Sequence, residues 1–393
     1  MKSIKEETNL NNKKVLLRLD LNVPLLGDKI TDTTRIDKII PTLSFLISQN
    51  AKIIIISHVG RPKGKVINEL SLRPICEDLE KKLNQNIKLI TKNVKEIISK
   101  DLFKNDNERI VMLENIRFYS EEEKNNQEFA KQLATLGDIY VNDAFSCSHR
   151  EQASIHKITK YIKESYAGPL LQKEVAAINA IVENKKKPVT CIIGGSKIST
   201  KINVITNLIK NVDNIIIVGA MANNFLTFNG FIVGKSLLEK DTKEIIGNIY
   251  AEAEKYNCNI FIPEDCSVSN DFDGSRKIKK LESIGKEEII LDIGPETIKR
   301  IESIIDKSRT VLWNGPAGYF ENKNFLTGTL AIAKKISEST SKNSLISILG
   351  GGDTISAINK SKDNFAFTHL STAGGAFLEF LEGKDLPGLN VLK

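Results

Sequence analysis

Aliphatic residues recur along this chain in short unbroken runs instead of alternating with polar ones. In the first half the runs are Val15 to Leu19, Lys52 to Ile56, Ile110 to Leu113 and Ile139 to Val141. In the second they are Val189 to Ile193, Asn214 to Val218, Asn259 to Ile262, Thr310 to Trp313 and Leu345 to Leu349. A strand covered on both faces has no polar side, so continuous runs with helical stretches between them predict parallel strands flanked by helices. Both halves are expected to be α/β. In such sheets ligands bind beyond the carboxyl ends of the strands, so the residues that follow each run are the first candidates for chemistry.

Between the two sets of runs, Gly168 to Asn184 carries apolar residues at Leu170, Leu171, Val175, Ile178, Ile181 and Val182. That spacing predicts one helix, opened by Pro169 and closed before Pro188. The halves it joins differ in chemistry. Seven of the ten arginines precede it, and the glycine-rich turns Gly194-Gly195-Ser196-Lys197, Gly350-Gly351-Gly352-Asp353-Thr354 and Ala373-Gly374-Gly375 follow it. One anionic ligand per half, brought together across a hinge, is the expectation.

After the first run come Asp20 and Asn22, two short polar side chains in i, i+2 register before Pro24. They could hold the hydroxyls of a small substrate, or could equally form an Asx turn leaving the strand. Arg35 opens the next helix, where a salt bridge is the simpler role. The second run delivers His58 and Arg61 on a glycine turn, able to face an anion or to lie in a solvated loop. Arg117 and Arg150 repeat the placement of an arginine soon after a strand, and several converging arginines argue for a multiply charged substrate.

In the second half, Val189 to Ile193 enters Gly194-Gly195-Ser196-Lys197-Ile198-Ser199-Thr200-Lys201. The reading is a phosphate-binding helix start, with Lys197 in the first turn and Lys201 one turn further along the same face; a tight turn with two exposed lysines is the alternative. Gly230 to Ser236 resembles a phosphate loop but has three residues between its glycines where four are needed. Gly350 to Ile355 is the strongest local signal. A buried strand enters three glycines, and Asp353 and Thr354 then start a helix whose N–H groups could take phosphate oxygens while the carboxylate helps hold magnesium. Ser371 to Ala376 is a second such entry.

Composition narrows the class. At 393 residues, two domains of similar size are expected. The formal charge of +7 arises from 56 bases interspersed with 49 acids, and aromatics are 6% of residues. Nucleic-acid binding, which needs clustered bases with aromatics between them, is therefore disfavoured. The absence of GxGxxG after any strand disfavours a nicotinamide dehydrogenase. Five cysteines without metal-ligand spacing, no apolar leader at the N-terminus and no membrane-length apolar run lead to the expectation of a soluble cytoplasmic protein in a reduced compartment.

At this point the motifs resemble those of phosphoglycerate kinases, from end to end and in the family's order: LRLDLNVP, SHVGRP, LENIRF, AFSCSHR, IIGGSKISTKI, VGKSL, DIGPE, LWNGPAGYFE, GGGDT and STAGGAFLEFLEGK. The resemblance implies two Rossmann-like three-layer domains with parallel sheets: a triose domain over 1–167, a hinge helix over 168–184, a nucleotide domain over 185–370 and a segment 371–393 returning to the first domain. It implies a monomeric phosphotransferase with a carboxyl acceptor, transferring phosphoryl reversibly from 1,3-bisphosphoglycerate to ADP with Mg2+, to give 3-phosphoglycerate and ATP. Neither a nucleic-acid nor a membrane partner is implied.

Matched residue by residue, the resemblance assigns Asp20 and Asn22 to the triose and His58, Arg61, Arg117 and Arg150 to its non-transferring phosphate. Arg35 falls at the reacting carboxyl, Lys197 on the transferred group and Lys201 on the nucleotide phosphates. Asp353 matches the magnesium contact, Thr354 a phosphate contact, and Gly294, Asn314, Pro316 and Glu321 the nucleoside slot. Gly351, Gly352 and Gly374 supply the backbone around the phosphoryl group. The chain departs from the family pattern at Val218 and Ala220, expected to narrow the base site, and at Ala373, expected to alter the backbone because alanine disfavours positive φ.

Overall fold

The computed structural model describes residues 1–105, 107–182, 186–361 and 363–392, with the side chain of residue 182 left aside. By its internal contacts the chain forms two compact units, Met1–Val175 with Asp385–Lys393, and Ala176–Lys384.

The first unit is built on a six-stranded parallel sheet in the order Ile87–Ile90, Ile110–Leu113, Lys52–Ile56, Lys14–Arg18, Ile139–Asn142, Glu164–Ala167. The second carries another, in the order Asn259–Phe261, Asn214–Ile217, Val189–Ile193, Thr310–Asn314, Ile346–Gly350, His369–Ser371. All nine aliphatic runs are strands. Their side chains are buried on both faces, as an unbroken run requires: Ile53 to Ile56 are all fully buried. In the second sheet the chain order reverses between Val189–Ile193 and Thr310–Asn314, and that switch point opens a crevice at the carboxyl ends of the two strands.

Three strands of the parallel sheets escape the hydrophobic pattern. Ile87–Ile90, Glu164–Ala167 and His369–Ser371 are short edge strands of three or four residues, each interrupted by polar residues. A separate antiparallel sheet, Lys277–Lys280, Asp265–Ser269 and Ile289–Ile293, is also unannounced in sequence, because its core strand DCSVS reads as polar. The rejected phosphate-loop look-alike lies against it: Gly234 bridges to Ile289, and the Ile290 N–H donates to Ser236 Oγ at 2.8 Å.

The central helix is Pro169–Val182; the remaining expected residues, 183 and 184, lie outside the described residues. Its start is fixed by a residue the sequence did not flag. Asp143, fully buried at the end of strand Ile139–Asn142, accepts from the Leu171 N–H at 2.8 Å and from the Thr42 hydroxyl at 2.6 Å. It thereby satisfies an N–H group at the helix start that has no partner within the helix. Gly168 permits this approach: a Cβ there would stand 2.3 Å from Asp143 Cγ.

The C-terminal return, expected from Ser371, belongs to the first unit only from Asp385. Strand His369–Ser371 completes the second sheet, and after it Asn207 Nδ2 donates to the Leu381 carbonyl at 2.6 Å. Beyond Asp385, the Gly388 N–H donates to the Ser148 carbonyl at 2.8 Å and Asn142 Nδ2 donates to the Gly388 carbonyl at 3.2 Å.

Candidate active site

In the first unit, three adjacent strands end at one place. Lys14–Arg18 delivers Asp20 and Asn22, Lys52–Ile56 delivers His58, and Ile139–Asn142 leads to Ser146 and Cys147. Arg35, at the second position of helix Thr34–Ser48, donates from Nη1 to Asp20 Oδ2 at 2.7 Å and to the Asn22 carbonyl at 3.1 Å. Ser146 also donates to Asp20. Burial alone would raise the Asp20 pKa, but Arg35, His58 and the Ser146 hydrogen bond together hold it below the usual carboxylate value. The Asn22 side chain accepts from the Gly60 N–H at 2.8 Å, so it fixes the glycine turn that carries Arg61.

His58 is 3% exposed, and burial, reinforced by Arg18, Arg117 and Arg35, pushes its pKa well below the ordinary value despite Asp20. The ring is neutral near pH 7. Its Nδ1 lies 3.3 Å from Arg18 Nη2, so Nδ1 accepts and the proton sits on Nε2. Arg117 is buried; its Nη1 donates to the Gly60 carbonyl at 3.0 Å, while its Nε has no hydrogen-bond partner. Asn115 holds it there, accepting from the Arg117 N–H at 3.1 Å and donating to the Val59 and Leu70 carbonyls at 2.8 Å each. Arg61 and Arg150 are exposed. Burial lowers the Arg117 pKa, but a guanidinium remains charged.

Sequence reasoning missed the layer beneath. Arg18 is fully buried and donates from Nε to Ser154 Oγ at 2.9 Å, and Ser154 in turn donates to Glu122 Oε1 at 2.6 Å. A basic residue inside an aliphatic strand was the available signal. The ligand atoms of Asp20, His58 and Cys147 lie within 4.8 Å of one another, a spacing that could suit a cation. Two guanidinium groups argue otherwise, with Arg18 Nη2 3.8 Å from Cys147 Sγ and Arg35 on Asp20. The clustered guanidinium groups give the site a positive charge that suits an anion.

In the second unit, a cavity of about 410 Å³ opens at the switch point. Gly195, Ser196 and Asp353 line one part; Leu237, Phe272 and Ile290 line an apolar part; Pro316 and Glu321 also border it. Lys201 is half-buried and donates to Asn314 Oδ1, and Asn314 Nδ2 donates to the Gly350 carbonyl at 2.9 Å. Burial lowers the Lys201 pKa, with Asp353 and Glu382 opposing that. Phe272, packed edge-on against Tyr319 with centroids 5.1 Å apart, was not foreseen; an exposed aromatic in a polar loop carries no periodic signal.

Several predicted residues sit otherwise than expected. Residues 197–201 are turn, the helix being Ile202–Ile209, so Lys197 and Lys201 do not share a helical face. Lys197 is exposed. Within the turn read as a phosphate-binding helix start, the Ser199 N–H donates to Glu239 Oε2 at 3.0 Å. The Thr354 hydroxyl is fully buried and committed to backbone, accepting from the Gly315 N–H at 2.7 Å and donating to the Gly350 carbonyl at 3.1 Å. Gly294 caps helix Pro295–Lys307 and packs against the Asp265 side chain, and it does not border the cavity.

The three departures are tolerated by the backbone. Gly351 (φ 102°) and Gly374 (φ 50°) hold positive φ, whereas Ala373, Val218 and Ala220 do not. Val218 is fully buried in the core and leaves the cavity untouched; Ala220 borders it. Gly352 and Asp353 open helix Gly352–Asn359. Asp353 is the carboxylate at the glycine end of the cavity, suited to a magnesium ion that keeps most of its ligands from water and phosphate.

Comparison with known proteins gives the family. The family model described as phosphoglycerate kinase matches residues 5–384. A phosphoglycerate kinase of Wolbachia pipientis wMel is 47% identical over 393 residues, covering 99% of this chain and 98% of that one. Another, from Bartonella bacilliformis, is 44% identical over 388 residues, covering 98% of this chain and 97% of its own. The solved phosphoglycerate kinase of Coxiella burnetii superposes with a TM-score of 0.91 at 40% identity, covering 99% of this chain and 98% of that chain. That of Pyrococcus horikoshii OT3 gives 0.83 at 30% identity, covering 100% and 98%. The chain belongs to the phosphoglycerate kinase family.

Proposed function

We propose that the chain transfers the acyl phosphate of 1,3-bisphosphoglycerate to ADP, reversibly and with Mg2+, giving 3-phosphoglycerate and ATP. The observation that carries this reading is the pair of sites themselves: a buried arginine cluster around Asp20 and His58 in one unit, and in the other an apolar cavity bordered by Asp353, with Lys201 anchored on Asn314 and attracted by that carboxylate. The first suits a small, multiply charged acid, and the second a purine nucleotide.

In this reading His58, with its Nε2–H as donor, and Arg61, Arg117 and Arg150 hold the non-transferring phosphate. Asp20 and Asn22 orient the triose, and Asp20 also aims Arg35 at the reacting carboxyl. Phosphoryl transfer needs alignment and charge neutralisation more than covalent help. Arg35 supplies the positive charge from the triose side, and Lys197, exposed on its turn, follows the transferred group. Lys201, anchored on Asn314, takes the nucleotide phosphates with the backbone N–H groups around Gly351 and Gly374. The metal held at Asp353 would neutralise phosphate charge. We further propose that helix Pro169–Val182 hinges the units closed around both ligands, excluding water, and that the protein acts as a cytoplasmic monomer.

The test is a coupled assay of Mg-dependent 3-phosphoglycerate phosphorylation by ATP, on wild type and Lys197→Ala. Activity that collapses in the variant supports the reaction and the site together. A wild type without activity overturns the proposal, and scattering that shows no compaction with both ligands present overturns closure.

A further inference from the structure

Glu239 lies 40 positions beyond the lysine turn it touches. Its carboxylate accepts from the Ser199 N–H at 3.0 Å, and hydrogen bonding from Ser199, together with the charge of Lys197, holds its pKa below the usual value. The Ser199 N–H, two residues after Lys197, is thus tied to a carboxylate. The turn ahead of helix Ile202–Ile209 is therefore held at two points, by the fully buried Ile198 side chain and by this bond at Ser199, while Lys197 and Thr200 are exposed.

The carboxylate is itself held by a buried anchor. Asn223 and Asn224, 1% and 3% exposed on helix Ala222–Phe228, grip the segment on either side of it. Asn223 Nδ2 donates to the Leu237 carbonyl at 3.1 Å. Asn224 Oδ1 accepts from the Glu239 N–H at 3.0 Å and from the Thr242 hydroxyl at 3.3 Å. Leu237 and Asn223 also border the cavity. One continuous set of hydrogen bonds therefore runs from the cavity wall through Glu239 to the backbone beside Lys197.

We propose that Glu239 is a positioning residue for Lys197: it clamps the backbone at Ser199 so that the lysine side chain alone searches for the phosphoryl group. Without the clamp the Ser199 end of the turn would move about the buried Ile198, and the ammonium would reach its working place in a smaller fraction of encounters. Positional losses of this kind fall on turnover, because a misplacement of about 1 Å can cost on the order of 100-fold. Nucleotide affinity is largely spared, since the cavity keeps its lining. A cap that served stability alone would lower the melting temperature and leave kcat unchanged.

This inference rests on the proposed kinase reading, and the experiment separates the two. Steady-state kinetics with 3-phosphoglycerate and Mg-ATP would be measured on wild type, Glu239→Ala, Glu239→Asp and Glu239→Gln, each with its melting temperature. Glu239→Ala is expected to lower kcat about 30-fold with KM for ATP within about threefold. Glu239→Gln, which keeps an acceptor oxygen at the same reach, is expected to recover most of kcat. Glu239→Asp, shorter by one methylene and conservative for folding, is expected to fall between them and decides the matter should the alanine variant not fold. An active wild type with kcat unchanged in both Glu239→Asp and Glu239→Ala, or with a KM rise matching any loss, overturns the positioning role. An inactive wild type overturns the kinase reading instead.

Discussion

Arg35 Nη1 stands 2.7 Å from Asp20 Oδ2, joining the start of a helix to the end of the adjacent strand. The pair keeps an arginine stretched toward the strand ends, with 28% of its side chain exposed and able to meet a ligand. Arg35→Ala is expected to lower turnover by on the order of 10³, as loss of an arginine does in other phosphoryl-transfer enzymes, while circular dichroism and melting temperature stay close to wild type. A loss of less than about tenfold would remove Arg35 from the chemistry.

Gly168 and Asp143 make a second close pair, at the entrance to the connecting helix. Because a Cβ on residue 168 would fall 2.3 Å from Asp143 Cγ, Gly168→Ala must displace the carboxylate that caps Leu171. A destabilisation of about 1–3 kcal/mol is expected in urea denaturation, from overpacking and the lost cap. Unchanged stability would show that the carboxylate is not needed there.

The same carboxylate gives a pH signature. Burial pushes Asp143 up to about 6, against the hydrogen bonds from Thr42, Leu171 and Leu170. The unfolded chain releases this proton near pH 4, so between about pH 4 and 6 the folded state binds one more proton than the unfolded. Its contribution is complete below pH 4, declines as pH rises through 6, and is flat above. Wild type minus Asp143→Asn stability, measured by denaturation from pH 4 to 8, should fall with a slope of up to about 1.4 kcal/mol per pH unit and then level off. A difference that rises over that window would contradict the assignment.

The alanine at 373 should be nearly silent. Its backbone does not use positive φ, so Ala373→Gly is expected to cost about 0.4–1 kcal/mol through unfolded-state entropy and to leave kcat within about twofold. Gly374→Ala is expected to differ, because φ 50° with ψ −107° is a conformation that side chains resist. A large drop in kcat should accompany it in the coupled assay. Equal behaviour of the two variants would mean that the backbone at 374 is not part of the site.

How much of this was legible beforehand follows from how local each signal is. All nine aliphatic runs became strands because burial on both faces leaves its mark on consecutive residues. The positions of Asp20, His58 and Arg117 were legible because a polar residue soon after such a run falls beyond the carboxyl end of its strand, the side on which such sheets bind ligands. Gly294 and Thr354 matched family motifs, yet the fold uses the one as a helix cap against Asp265 and the other as a staple between Gly315 and Gly350. Their place in the chain is the same in either role, so sequence could not separate them.

By itself, the sequence determined the α/β class, the nine principal strands, the connecting helix and the family, since periodicity and ordered motifs are properties of neighbouring residues. Tertiary structure alone decided the strand orders, the antiparallel sheet and the partners of buried polar groups: Asp143 under Gly168, Arg18 and Glu122 through Ser154, Glu239 on Ser199. Each of those pairs spans tens of residues or more. A hydrogen bond depends on where two groups meet in space, and nothing in the spacing of a linear chain records that.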